Sequence, residues 1–340
     1  MVPRVTALLP SAAHRARFWS TAGPHAGSWI GAIPTCGWLC AQSCHFQRAL
    51  QLRASIPLRE LTSGNVLCAC GVLVDPWGFH YGVCKRGNRG SAWTWRHDTI
   101  EASLIAAVRS LQVRACRVTS NHLGERAVLD PSSRNYLRPD VFFPSYYAVD
   151  RHLFCDIAVA DPSALSALRA TPSSSREAGV AAALRSDRKV AKYGPLCSAT
   201  GSRFVPAVIE RYGACCDALV GLFRQLAGVG DSDPGDRNFS FAASSRVTAV
   251  AQRVVFATVI ADAAMVSRLA SADLSGEDLT APGRPPAPGS VQFVTDAASA
   301  VSHLLAPCLR SSVGLPAASR VSPPVATWRP SLRRTLPLLE

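Results

Sequence analysis

Two acidic residues, Asp140 and Asp156, lie next to or inside apolar runs of the sequence. Asp140 follows Pro139, whose ring fixes the backbone, and precedes Val141-Phe142-Phe143, a pattern that predicts the start of a strand. Apolar residues flank Asp156 on both sides, as in a buried central strand. A buried carboxylate is costly unless it is paired or holds a metal. The two acids therefore predict either a shared Mg²⁺ site on neighbouring strands or paired acids of the core.

Lysine is rare in this chain, which has Lys85, Lys189 and Lys192 against a large excess of arginine. Two of the three lysines fall within one predicted helix. Lys189 and Tyr193 are four residues apart and share a helix face. Where arginine is the usual cation, this pair of lysines indicates a site that needs a compact ammonium group rather than a planar guanidinium.

Cysteine and histidine are spaced as zinc ligands between residues 68 and 84. Cys68 and Cys70 are separated by one residue, and after a turn they are followed by His80 and Cys84, which are four positions apart. Thiolate and imidazole groups are the usual donors of tetrahedral structural zinc. Cysteines without a metal are the alternative. Another set with helical spacing, Cys36, Cys40 and Cys44, is predicted to be core, with a metal stripe as its alternative.

Arg96-His97-Asp98 opens a helical pattern whose apolar residues line one face. Asp98 or Thr99 is predicted to cap the helix N-terminus. Arg96 and His97 would then lie at its positive end, where they could contact a phosphate. The alternative is a cluster that serves capping and packing alone.

The composition indicates a globular chain with a polyanionic partner. Of 340 residues, 48% are hydrophobic and 17% are charged, which excludes disorder over most of the length. The net charge of +13 favours nucleic acid as a partner, and a general arginine-rich coding bias is the alternative. We expect no membrane span, because no stretch has eighteen uninterrupted apolar residues. An organelle transit peptide at the basic N-terminus is a further alternative.

Composition and turn signals divide the chain into six segments. We predict a leader (1–17), a helical segment (18–60), a zinc knuckle (61–90), an α/β domain (91–228), an accessory helix (238–272) and a disordered tail rich in Pro, Ala and Arg (273–340).

The order of these motifs resembles the restriction-enzyme-like, PD-(D/E)XK endonuclease region of non-LTR retrotransposon polyproteins. In that family a zinc knuckle precedes an R-H-N/D motif, a K/R-P-D motif, a second Asp, and a helix with R-K and a Tyr. The corresponding stretches of this chain are Cys68-Ala69-Cys70, His80 to Cys84, Arg96-His97-Asp98, Arg138-Pro139-Asp140, Cys155-Asp156-Ile157 and Arg188-Lys189-Val190-Ala191-Lys192-Tyr193. The resemblance covers roughly residues 18–230 and implies a PD-(D/E)XK core with a zinc knuckle before it and accessory helices after it.

The resemblance assigns roles residue by residue. Asp140 and Asp156 match the acids that hold catalytic Mg²⁺ or Mn²⁺, Lys189 matches the catalytic lysine, and Tyr193 matches the tyrosine of the same helix. Ala158 stands two residues after the second acid, where many PD-(D/E)XK enzymes have lysine, so the lysine comes from the helix. Lys192 is the alternative to Lys189.

Further roles follow from the same resemblance. Glu101, or Glu125, would be a third acid. The residues expected to position DNA are Arg96, His97, Arg138 and Lys192. Zn²⁺ would be structural.

The function implied is metal-dependent nicking of double-stranded DNA in the nucleus, which primes reverse transcription of the element RNA at the target. The reverse-transcriptase motif Y-x-D-D is absent from the sequence. Two alternatives remain at this point: a catalytically inactive, zinc-containing DNA-binding remnant of a retroelement, and an unselected open reading frame from a degraded element.

Overall fold

The computed structural model of the chain describes residues 6, 8–34, 37–62, 64–84, 92–118, 138–148, 151–229 and 245–275. Its helices are α1 Ala12–Ala22, α2 Ser43–Ala54, α3 Arg59–Thr62, α4 Phe79–Val83, α5 Ala92–Arg109, α6 Leu165–Ala170, α7 Val180–Ala199, α8 Asp217–Val229 and α9 Arg246–Ser275. Its strands are β1 Cys116–Arg117, β2 Val141–Ala148, β3 Arg151–Ala160 and β4 Arg203–Glu210. The fold is therefore mixed α/β.

The strands form one small mixed sheet in the order β1-β2-β3-β4. β1, β2 and β3 pair antiparallel, whereas β3 and β4 pair parallel along their whole length, from Leu153↔Arg203 to Ala160↔Glu210. A parallel pair needs a crossover connection, and α7 lies in it. The interior strand β3 is buried from Leu153 to Ala158, as its continuous apolar run predicts.

The long helix α9 belongs to the core rather than to an accessory layer, which corrects the expectation for residues 238–272. It packs against α5 and α2, and most of its residues from Ala249 to Ala272 are buried. Its length and composition would suit a membrane span, but 89% of its most apolar window is buried inside the fold. A helix that is apolar all round needs protein on every side, and here neighbouring helices provide it.

Part of the leader expected for residues 1–17 belongs to the packed fold, since α1 begins at Ala12 and buries Ala16 and Arg17. Ser11 caps α1 by accepting a hydrogen bond from His14 N. Arg17 is 0% exposed, donates to Trp77 O at 2.9 Å and stacks over the ring of Phe79 at 4.1 Å. These contacts join α1 to the segment that carries the cysteine and histidine cluster.

Two helix boundaries differ from the sequence expectation. α5 begins at Ala92, so Asp98 and Thr99 lie in its second turn and do not cap it. α7 continues through Pro195 to Ala199, although Gly194-Pro195 predicted its end. Residues Leu196 and Cys197 of this last turn are buried with Phe142 and Phe154 of the sheet, and this burial offsets the hydrogen bond lost at proline.

Some expectations meet the described residues only in part. Cys40 is half-buried and Cys44 is exposed, so these two cysteines are not core residues as predicted. Cys36, Lys85, Glu125 and residues 276–340 of the predicted tail lie outside the described residues, whereas residues 273–275 of that tail form the end of α9.

Candidate functional site

The predicted cysteine and histidine ligands converge in one cluster. Residues 66–74 fold back on themselves through Gly71, which has φ +83°, and present Cys68 and Cys70. α4 and its C-cap supply His80 and Cys84. The four donor atoms lie within 4.8 Å of one another. This Cys3His group could bind a metal such as zinc.

The distances within the cluster fit tetrahedral coordination. Cys68 Sγ is 3.5 Å from Cys84 Sγ, and Cys70 Sγ is 3.3 Å from His80 Nε2. With Zn–S near 2.3 Å and Zn–N near 2.0 Å, the edges of the tetrahedron are about 3.8 Å and about 3.6 Å. Burial lowers the pKa of His80, which favours the neutral imidazole that binds metals. Burial also raises the pKa of Cys68, so metal binding would release a proton from this thiol.

Two carboxylates outside the ligand set hold the cluster in place. Asp75 accepts hydrogen bonds from the backbone N–H groups of Trp77, Phe79 and His80 at 2.8–3.0 Å, which fixes the start of α4. Asp273 of α9 accepts from Ala69 N and from the Tyr81 hydroxyl. The cluster is thus anchored to the core helix 200 residues later in the chain.

The two predicted acids meet at the centre of the sheet. Asp140 lies just before β2, and its backbone N–H donates to Cys155 O at 2.9 Å, next to Asp156 in the neighbouring strand. The charge of Asp140 contributes to the raised pKa of Asp156, because the two carboxylates are close to each other. Asp140 Oδ2 accepts the Ile157 N–H at 2.6 Å, which holds its carboxylate across β3. Both acids line one cleft of about 730 Å³.

Lys189 of α7 forms an ion pair with Asp156, as the helical lysine hypothesis requires. Asp156 is 2% exposed. Burial and the nearby charge of Asp140 raise the pKa of Asp156 to about 6, while Lys189 and a hydrogen bond from Tyr193 oppose this rise. A buried carboxylate beside a second, partly exposed one is an arrangement that could hold a divalent cation, whose charge would offset both burial and repulsion.

The ring of Tyr193 lies against the ammonium group of Lys189. Its ring is buried, packs on Phe204 with centroids 5.3 Å apart, and lies 5.5 Å from Lys189 Nζ and 5.4 Å from Lys192 Nζ. Lys189 forms the ion pair with Asp156, whereas the side chain of Lys192, three residues later in the helix, is exposed. The structure thus places Lys189 rather than Lys192 against Asp156.

His97 closes the other side of the acids. Its Nε2 donates to Asp140 Oδ2 at 3.0 Å, and this hydrogen bond raises the pKa of His97 to about 9 against the effect of burial. Glu101 lies one turn further along α5, is 3% exposed, and accepts from Arg117 Nε at 2.7 Å. Burial and the nearby charge of Asp140 raise the pKa of Glu101. Glu101 therefore lies close to Asp140, where the sequence resemblance expects a third carboxylate.

Arg96 has a different environment from the one expected. It is 8% exposed, and its Nη1 donates to Asp262 Oδ1 of α9 at 2.6 Å. Arg96 therefore has a structural ion-pair partner in α9, and it also lines the cleft. Arg138 is exposed and lines the cleft, whereas the alternative third acid Glu125 lies outside the described residues.

A buried charge network beneath the cleft was not predicted. Arg211 is 0% exposed and donates to Asp262 Oδ2 at 2.6 Å, to Asp161 Oδ2 at 3.2 Å, and to the carbonyl oxygens of Gly78 and Phe79 at 3.2 and 3.4 Å. It therefore joins the end of β3, α9 and the start of α4. Asp262, an acid in the middle of the apolar α9 sequence, was a signal that could have indicated this network.

The network also fixes the residue type at position 82. A Cβ on Gly82 would clash with the side chains of both Asp161 and Arg211. Gly82 lines the cleft beside Val83, two residues after the ligand His80. The cysteine and histidine cluster is thereby packed directly against one wall of the cleft.

No protein-family model and no curated protein matches the sequence of this chain.

Proposed function

We propose that the chain is a metal-dependent DNA endonuclease with a PD-(D/E)XK core. The observation that carries this proposal is the convergence of Asp140, Asp156 and Lys189 on one cleft, from two strands and a crossover helix. The order of helix, acid-bearing strands and lysine-bearing helix is the one that the sequence resemblance implies. The mixed sheet, with a parallel β3–β4 pair, supports the same assignment.

The chemistry follows from the residues of the cleft. Asp140 and Asp156 would hold Mg²⁺ or Mn²⁺, which supplies Lewis-acid polarisation of a phosphoryl oxygen and a water of lowered pKa. Lys189, held beside Asp156, would stabilise the negative charge that develops on the phosphorane or on the attacking oxygen. Tyr193 would keep the lysine side chain in place through its ring and its hydrogen bond to Asp156.

The partner in this proposal is double-stranded DNA. The net charge of +13 and the exposed Arg138 at the cleft support binding of a phosphate backbone. In the retroelement setting that the sequence resembles, the nick would prime reverse transcription of the element RNA in the nucleus. The Cys3His group would hold structural Zn²⁺ and stabilise the wall of the cleft that contains Gly82 and Val83.

The test is nicking of supercoiled plasmid by the full chain with Mg²⁺ or Mn²⁺. We expect nicking by the wild type and its loss, by at least about 100-fold, in Asp140→Asn and Lys189→Met, because each removes a group needed in the transition state. Asp187→Asn is the matched control. Asp187 is exposed on α7, and the substitution removes the same charge from the same helix that carries Lys189.

The outcome that contradicts nuclease function is equally defined. If the wild type binds zinc and retards DNA in a gel but does not nick it, the chain is the inactive DNA-binding remnant. If Asp140→Asn and Asp187→Asn nick as fast as the wild type, the nuclease assignment to this cleft is wrong. Metal-free buffer with a chelator serves as the background in each case.

A further inference from the structure

Three basic residues of α7 lie on one face of the helix. Successive residues are rotated by 100°, so Arg185, Arg188 and Lys192 fall within an arc of about 60°. Lys189, which reaches into the site, lies at the border of this arc. Asp187 is the acid nearest to them along α7, and the same rotation places it on the other side of the helix.

The face is open to solvent. Arg185, Arg188 and Lys192 are all exposed. Among the described residues, neither Arg185 nor Arg188 has a carboxylate within salt-bridge distance. Arg185 and Arg188, three residues apart on the same helix face, therefore repel each other, and an external polyanion would relieve this repulsion. We call Arg185, Arg188 and Lys192 the basic face of α7.

The basic face continues from the catalytic cleft. Arg185 and Arg188 line the cleft together with Lys189, and Lys192 follows one turn beyond Arg188. The cleft of about 730 Å³ is far larger than the space that a metal ion and one phosphate need. Small side chains of α6, including Ser166 and Ala170, also line the cleft and leave room for a nucleic-acid backbone.

The dimensions fit a nucleic-acid strand. The helix rises about 10.5 Å along its axis from Arg185 to Lys192. A DNA strand carries one phosphate per about 3.4 Å of duplex axis, so the face extends past about three phosphates. Arginine and lysine are the side chains that most often contact phosphate oxygens.

We propose that the basic face of α7 binds successive phosphates of one strand of duplex DNA and leads that strand to the acids. This inference rests on the proposed function for the identity of the cleft, but its evidence is the charge and geometry of α7. It adds Arg185 and Arg188 to the phosphate contacts that the sequence predicts. Lys192 keeps the DNA-binding role that the sequence indicates.

The experiment measures DNA affinity as a function of salt. The triple variant Arg185→Gln, Arg188→Gln, Lys192→Gln is compared with a control that removes three exposed arginines away from the cleft: Arg59→Gln, Arg151→Gln, Arg224→Gln. Both variants lose three positive charges. The probe is a labelled 30-bp DNA duplex, titrated between 50 and 200 mM salt with a chelator present, so that no cleavage occurs.

Each phosphate contact contributes about 0.9 to the slope of log affinity against log salt. We expect the slope to fall by about 2.7 in the α7 variant and to stay near the wild-type value in the control. Over the fourfold salt range, this difference corresponds to about a 40-fold smaller loss of affinity. Circular dichroism confirms folding of both variants, since glutamine is a good helix former.

Each outcome decides the proposal independently of nuclease activity. Equal slopes for the two variants would overturn it, even if the wild type nicks plasmid DNA. A selective loss of slope supports it, even if no nicking is found and the chain is a DNA-binding remnant. Selective loss for an RNA duplex of the same sequence, with unchanged DNA binding, would overturn the assignment of DNA as the partner.

Discussion

Replacement of Arg211 by methionine should destabilise the whole fold. The guanidinium of Arg211 is fully buried and satisfies two carboxylates and two carbonyl oxygens. Methionine fills a similar volume but donates no hydrogen bond. Asp161 would lose its ion-pair partner, and the carbonyl oxygens of Gly78 and Phe79 would lose a donor in the interior.

The expected loss of unfolding free energy depends on which carboxylates keep a partner after Arg211→Met. Removal of one partner from a buried ion pair typically costs about 3–5 kcal/mol, because an uncompensated charge remains. Asp262 keeps Arg96 at 2.6 Å, so its charge is still balanced after the substitution. We therefore expect a loss near the low end, about 3 kcal/mol. This is a large part of a typical unfolding free energy of about 5–15 kcal/mol.

The assay is urea unfolding of the zinc-loaded chain at pH 7, followed by circular dichroism. Arg224→Met is the matched control, because Arg224 is exposed on α8 and should change stability by less than about 0.5 kcal/mol. A loss below about 1 kcal/mol for Arg211→Met would refute the reasoning, since the network would then contribute no more than a surface ion pair.

Substitutions at three other sites test separate parts of the structure. Cys84→Ser should reduce bound zinc from about one equivalent to near zero by metal analysis, whereas Cys44→Ser, outside the cluster, should leave it unchanged. Glu210 is 1% exposed and accepts hydrogen bonds from the backbone N–H groups of Ala181 and Ala182 in the first turn of α7. In urea unfolding, Glu210→Gln should cost about 1 kcal/mol and Glu210→Leu about 2–3 kcal/mol, because leucine accepts no hydrogen bond. Equal costs for the two variants would contradict this capping role. The hydrogen bond to Asp140 raises the pKa of His97 to about 9, so this pair stabilises the fold fully below about pH 6.5 and no longer does so once the pH rises through 9. Because the His97 side chain is one-third exposed, the loss in unfolding free energy should be on the order of 1 kcal/mol. In metal-free buffer this pH dependence should disappear in His97→Gln.

Local patterns predicted the elements that carry the candidate site. β3 could be recognised because a short, continuous apolar run is typical of a buried strand. The cysteine and histidine ligands could be recognised because zinc coordination restricts both donor type and spacing. The convergence of Asp140, Asp156 and Lys189 agrees with the sequence expectation, since strand register and a crossover helix leave little freedom once the elements are assigned.

Helix ends and the role of α9 could not be predicted in the same way. The end of α7 depends on burial of Leu196 and Cys197 against the sheet, which outweighs the local signal of Pro195. An apolar helix such as α9 could cover any surface, and its sequence does not say which one. Its central position follows from packing against α5 and α2.

The residues capable of chemistry could be recognised from the chain alone: the acids in apolar strands, the rare lysines and the metal donors. Which charges are structural and which face the cleft became clear from the folded arrangement. Arg96 and Asp262 are 166 residues apart, and nothing in their local sequences selects one for the other. The free energy of an ion pair depends on separation in space and on burial, and both exist only after the chain has folded.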